Sequence, residues 1–239
     1  MYRIIRSRRR TLAIYIEQGQ AVIRAPERLS QVAIAQFIED KKSWIARTVA
    51  QQKTQLKDVY RIKDGATLPV LGEELTISLA TKNNRTGRAV QRPSIVRRDG
   101  TLRIQIPSLD AAVQPQRQIN RLFMRWIKAV AAEYMTPATT ALAAKLELGG
   151  ALRDVRYRKT RSKWGHCTSA GSIQYNPLIA LAPLSVIDYL IAHEVCHLRH
   201  RNHSKRFWAL LDKHCAERHS AEQWLKQQGY KLDIVAVKE

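Results

Sequence analysis

The sequence predicts an α+β protein, with a small antiparallel β-rich N-terminal part followed by a mainly helical one. Two patterns carry that expectation. Up to about residue 106, short alternating apolar runs are punctuated by Gly19, Gly72 and Asp99-Gly100. From Gln116 onward the apolar residues recur at helical spacing over long stretches. A chain of 239 residues that is 45% hydrophobic is long and apolar enough to bury a proper core.

Taken in order, residues 2–7, 11–17 and 20–25 read as strands of a small antiparallel meander. Ser30 is a good N-cap for a helix running to about residue 52, whose Val32, Ile34, Phe37, Ile38, Trp44 and Ile45 include an apolar stripe. Residues 68–80 form a strand pair about Gly72, and Asp99-Gly100 makes a hairpin between 94–98 and 101–106. A long helix from Gln116 to Leu148 meets Pro137, which should kink or split it. Val155–Tyr157 and Ser172–Gln174 are short strands on either side of a loop at Trp164. Pro183 opens the next helix, Ser204 caps another to about Arg218, and Ser220–Gln228 makes the last before Gly229. The chain divides near residue 112, giving parts 1–112 and 113–239.

The helix after Pro183 carries the chemistry. It reads His193-Glu194-Val195-Cys196-His197, followed by His203. Residues four apart on a helix lie on one face, so the imidazoles of His193 and His197 can meet at one metal ion with Glu194 beside them. Two neutral nitrogen ligands plus a carboxylate able to take a proton from water is the working content of the H-E-x-x-H zinc motif. Ile187, Leu190, Ile191 and Val195 make the helix mostly apolar, so it should be buried. A buried histidine pair without a partner costs about 1–3 kcal/mol for each orphaned nitrogen. The pattern therefore predicts a zinc-dependent hydrolase, with Glu194 as catalytic base.

Four residues compete to complete the metal site. His200 shares a face with His193, but seven residues of helix separate their backbones by about 10 Å. If the helix ends at about 199–202, the chain can turn, with Asn202 in a left-handed conformation, and bring His203 back. Glu217 and Glu222, on a later helix, are carboxylate alternatives. His203 is favoured, with His200 behind the ligands or on the surface.

The segment His193–Trp208, HEVCHLRHRNHSKRFW, resembles the YgjP-like branch of the SprT-like zinc metallopeptidases. Lys163-Trp164-Gly165-His166-Cys167 matches the family's Trp-Gly-x-Cys element, and Gly171 to Asn176 also fits. Arg8–Leu12, Arg24-Ala25-Pro26 and Phe37 to Trp44 look like its opening segment, while residues 50–150 match loosely. The resemblance implies a zincin-like catalytic domain, Zn2+ on His193, His197 and His203, Glu194 as base, and a peptide or unfolded-protein substrate. Many relatives carry Arg and Ser where this chain has Lys163 and His166. Some relatives are assigned nucleoside-triphosphate pyrophosphatase activity, including on UTP, so a phosphate-bearing nucleotide is the alternative substrate. That reading lacks a phosphate-cradling glycine loop and a carboxylate-rich magnesium site in the sequence.

Composition bounds the remainder. The formal net charge is +21, with basic clusters at Arg3–Arg10, Lys82–Arg103, Arg153–Lys163 and Arg199–Arg206. Such a field attracts polyanions, so non-specific nucleic-acid binding, or a nucleic-acid-associated zinc protein, is a third reading beside an ordinary solvated surface. No uncharged apolar run is long enough for a transmembrane helix. The amino terminus is too charged for a secretory signal. The three cysteines, Cys167, Cys196 and Cys215, form no disulfide framework, so the sequence predicts a reduced, cytoplasmic protein. Cys196 reads as a core thiol, and Cys167 as a residue able to approach the active site. Tyr175, Trp164 and His166 are candidates for shaping the cleft or stabilising charge, though packing roles suit the rings better. Arg206 is a candidate for binding a substrate anion, or else a solvent-facing side chain. The strand at Ser172–Asn176 is the expected edge for an extended peptide. The sequence does not fix an oligomeric state.

Overall fold

The computed structural model describes residues 2–80, 92–107, 115–160 and 162–234. Ten strands and six α-helices among them make the protein α+β. The chain forms two compact units, Met1–Val59 and Tyr60–Glu239. The division expected near residue 112 falls at 108–114, outside the described residues.

In the first unit, β1 (Tyr2–Ser7), β2 (Ala13–Glu17) and β3 (Gln20–Pro26) form a sheet in the order β1-β3-β2. It is not the antiparallel meander the spacing suggests, because β1 pairs with β3 in parallel while only β2 and β3 form a hairpin. The reason is burial: Ala21, Val22, Ile23 and Ala25 of β3 are almost fully buried, so the most apolar strand takes the centre, and β1 is largely exposed. Ser30 caps α1 (Gln31–Asp40) by accepting from Ala33 N–H at 3.1 Å. The single helix expected to residue 52 is two, because Lys41 leaves helical geometry (φ −104°, ψ 4°) before α2 (Lys42–Gln55). Ile34 is buried, whereas Val32 and Trp44 are exposed and lie outside the core stripe.

The second unit opens with a four-stranded sheet in the order β4-β5-β7-β6, built from β4 (Thr67–Val70), β5 (Glu73–Ala80), β6 (Ser94–Arg98) and β7 (Thr101–Gln105). Asp99 (φ 49°) and Gly100 (φ 68°) make the tight turn between β6 and β7, as the sequence predicts. Helix α3 (Pro115–Lys145) runs unbroken past Pro137. Its buried residues Ile119, Phe123, Ile127, Ala131, Met135, Thr139 and Ala143 continue at near-regular intervals on both sides of the proline. Burying that stripe outweighs the roughly 3 kcal/mol that a mid-helix proline costs. The four-stranded sheet, α3 and the helix bearing the histidines share one apolar core.

Three short strands frame the histidines. They are β8 (Asp154–Tyr157), β9 (Gly165–Cys167) and β10 (Ser172–Tyr175), in the order β8-β10-β9. Strand β10 is therefore central, parallel to β8 and antiparallel to β9, and its edge is not free for a peptide. The edge strand on the side of the site is β9. A buried 3₁₀ turn at Pro177–Leu181 leads to α4 (Leu184–Cys196), followed by α5 (Lys205–His214) and α6 (Arg218–Gln228). No helix among the described residues is long and apolar enough to cross a membrane.

Candidate metal centre

Helix α4 ends at Cys196, earlier than expected, and His197 is its C-cap in αR geometry. The chain then bends through residues 198–203 and enters α5 at Ser204, whose hydroxyl accepts from Phe207 N–H. Asn202 is not left-handed, so the bend does not need the conformation expected there. The early end of α4 releases the backbone soon enough for His203 to fold back over the last turn.

The three imidazoles converge. The Nε2 atoms of His193 and His197 are 3.2 Å apart, and those of His193 and His203 are 3.1 Å apart. One ligand atom from each residue lies within 4.8 Å of the others. A tetrahedral zinc with Zn–N near 2.0–2.1 Å sets its nitrogen ligands about 3.3 Å apart, so this donor set fits the ion. Phe207, fully buried, forms the base, with ring centroids 5.1, 4.6 and 4.8 Å from those of His193, His197 and His203.

Hydrogen bonds behind the rings select the proton positions. His197 Nδ1 is 2.9 Å from the His200 carbonyl, which can only accept, so Nδ1 carries the proton and Nε2 keeps its lone pair. His200 thus acts through its backbone. The Tyr189 hydroxyl lies 3.2 Å from Glu222 Oε1 and 3.3 Å from His193 Nδ1. The carboxylate can only accept, so Tyr189 donates to Glu222 and its oxygen accepts a hydrogen bond from His193 Nδ1–H. His193 is pushed down to about 3, first by burial and then by the neighbouring His197 and His203. Burial also lowers His197. Both rings are thereby kept neutral, as metal ligation requires.

Glu194 is only 4% exposed. Its carboxyl is pushed up to about 8 by burial, against the pull of the Lys163 charge and a bond from the Cys167 backbone N–H. Strand β9 is pressed against it: a Cβ at Gly165 would collide with Oε1 and sit 2.7 Å from both Cγ and Cδ of Glu194. Cys167 is half-buried, while Cys196 is fully buried and pushed up to about 11 by burial. Tyr175 is buried with its hydroxyl 3.0 Å from Thr139 Oγ1, a packing role.

Neither glutamate weighed as a ligand joins the histidines. Glu217 precedes α6 as its N-cap, and Glu222 stands behind Tyr189. Tyr189, Glu222, Phe207 and Gly165 were not singled out for these supporting positions from sequence. Tyr189 had a usable signal, since it lies one turn before His193 on the same helical face. The others depend on contacts between elements, which spacing does not encode.

Several basic residues near the motif serve the fold. Arg201 donates to the carbonyls of Thr168 and Ser169 at 2.6 and 2.8 Å, and Arg199 to that of Leu146 at 3.3 Å. Lys82, Arg85 and Arg88 lie outside the described residues.

No curated protein and no solved structure matches the chain. A family model, the YgjP-like metallopeptidase domain, matches residues 10–228. Covering nearly all of the chain, including every histidine of the converging set and the strand packed on Glu194, that match makes the protein a member of the YgjP-like metallopeptidase domain family.

Proposed function

We propose that His193, His197 and His203 hold one zinc ion and that Glu194 is the general base of a peptide hydrolase. The observation that carries this reading is the approach of the three imidazole nitrogens to one another at zinc spacing, with a buried carboxyl on the next residue. Zinc, when bound, supplies Lewis acidity that acidifies a water and polarises a carbonyl. Glu194 takes the water's proton and returns it to the departing amine, so one carboxyl serves as base and then acid. A nearby cation favours its ionised form, reversing the effect of burial. Gly165 and the Cys167 N–H hold that carboxylate in place. The outer edge of β9 lies beside Glu194, and its backbone groups other than the Cys167 N–H, which holds the carboxylate, offer pairing to an extended chain at the point of attack.

The test is a substrate panel run with purified wild type and two variants. Wild type should contain about one zinc per chain and cleave unfolded protein. Glu194→Gln should keep the metal and lose activity by about 10²–10⁴-fold. His203→Ala should lose zinc on dialysis. Full activity in Glu194→Gln would refute the base assignment, and unchanged metal retention in His203→Ala would refute the ligand set. Nucleoside triphosphates in the same panel decide the other chemistry: their cleavage, with no attack on protein, would make the enzyme a phosphohydrolase.

A further inference from the structure

Two ligand supports that look separate meet at one side chain. The Tyr189 hydroxyl, which bonds His193, donates to Glu222. Glu222 is in turn gripped by Arg218, whose Nη1 lies 3.3 and 3.4 Å from its two oxygens. On the other side, the His203 ring is stacked on Trp208, with centroids 5.3 Å apart and planes at 23°. That indole also meets Arg218, whose guanidinium carbon lies 4.9 Å from the ring centroid.

The local sequence explains the convergence. Trp208 and Asp212 are one turn apart on α5, and Arg218 and Glu222 are one turn apart on α6, so each helix presents a pair on one face. Arg218 Nε and Nη2 bind Asp212, holding the guanidinium over Trp208, while Nη1 reaches Glu222. Nη2 also lies 3.0 Å from His219 Nε2. The side chain is only 14% exposed, so its position is fixed by these partners rather than by solvent. A planar fork with donors on several edges and an apolar face suits this arrangement, and a lysine ammonium does not.

We infer that Arg218 is the common positioning residue for two of the three imidazoles, setting His193 through Glu222 and Tyr189 and setting His203 through Trp208. Its contacts are Asp212, Glu222, His219 and Trp208, and none of the three converging imidazoles is among them. Its work is to fix ring orientation, and outer groups of this kind commonly carry a large share of metal affinity. The inference rests on the proposed zinc site.

The experiment is chelator competition for zinc on the full chain, with cobalt absorption spectra and apo-protein melting in parallel. Arg218→Leu should weaken zinc binding by about 10–100-fold. It should also shift the cobalt ligand-field bands, while leaving the zinc-free melting temperature close to wild type. Tyr189→Phe and Trp208→Leu act on different rings, so their losses should multiply. Each should cost less in the Arg218→Leu background than in wild type. If Arg218→Leu does not fold, Arg218→Lys keeps the charge and stem and is read the same way, because an ammonium cannot span Asp212, Glu222 and the indole together. Zinc affinity within twofold of wild type in the folded Arg218 variant would overturn the inference. So would losses that multiply fully in both cycles. Absence of zinc binding in wild type would instead refute the site itself, so the two failures are distinguishable.

Discussion

Gly165 is the residue on which the proposed base depends most closely, because its missing side chain is the space that Glu194 occupies. Gly165→Ala should force the carboxylate away from its position. Hydrolysis should fall about 10²-fold, within the range that general-base catalysis supplies. Zinc content should stay at the wild-type level, because the imidazoles are not displaced. The collision should also cost about 1–3 kcal/mol of stability. Shortening the partner tests the steric cause: Gly165→Ala with Glu194→Asp should melt higher than Gly165→Ala alone, and an equal or lower melting temperature would assign the loss elsewhere. At this scale the sequence was highly legible for groups that carry chemistry. The convergence of the three imidazoles, with Glu194 beside them, follows from helical spacing and one short bend. Gly165 was visible only as a motif letter, since a glycine's reason for being small lies in whatever fills its space.

At the scale of elements, helix starts were easier to read than stops. Ser30 and Ser204 cap helices where expected, each accepting from the N–H three residues on. By contrast α4 stops at Cys196, because the turn that returns His203 begins there, and no glycine or proline marks it. Pro137 misleads in the other direction, its local penalty being overridden by the burial of α3 on both sides. The order β8-β10-β9 was equally hidden, since a three-residue strand such as β9 has too few positions to show alternation. Ser204 adjoins His203, so its cap fixes both the start of α5 and the approach of that imidazole. Ser204→Ala should lower stability by about 0.5–2 kcal/mol. The urea midpoint and zinc affinity should fall together; a lower midpoint with full affinity would separate the cap from the site.

For the whole molecule, the α+β class and the helical nature of the part carrying the three histidines were readable from periodicity. The grouping of the four-stranded sheet with α3 and α4 was not, because shared burial links residues far apart in sequence. Global stability should also carry the mark of the site. In metal-free protein Glu194 titrates near 8 against an ordinary 4.5, so the folded state holds the extra proton between those values. Its contribution is complete below about 4.5 and declines as pH rises to about 8. His193 acts oppositely, with pKa about 3 against an ordinary 6.5, and its contribution is complete above that ordinary value. Between 6.5 and 8 the Glu194 decline therefore stands without that opposition. Urea midpoints of chelator-treated protein should drop across that interval, and Glu194→Gln should flatten the drop. An unchanged slope in the variant would show that another group sets it.

The bend between α4 and α5 has one more consequence. His203 follows His197 by only six positions, so an ion shared between them, as proposed, would tie off a very short ring. Tying off a short ring removes little freedom from the unfolded chain. Phe207, just beyond, is anchored in the apolar interior whether or not an ion is present. Release of the cation should therefore loosen one exposed imidazole and its bend, leaving a folded receptor ready to be reloaded rather than an unravelled chain.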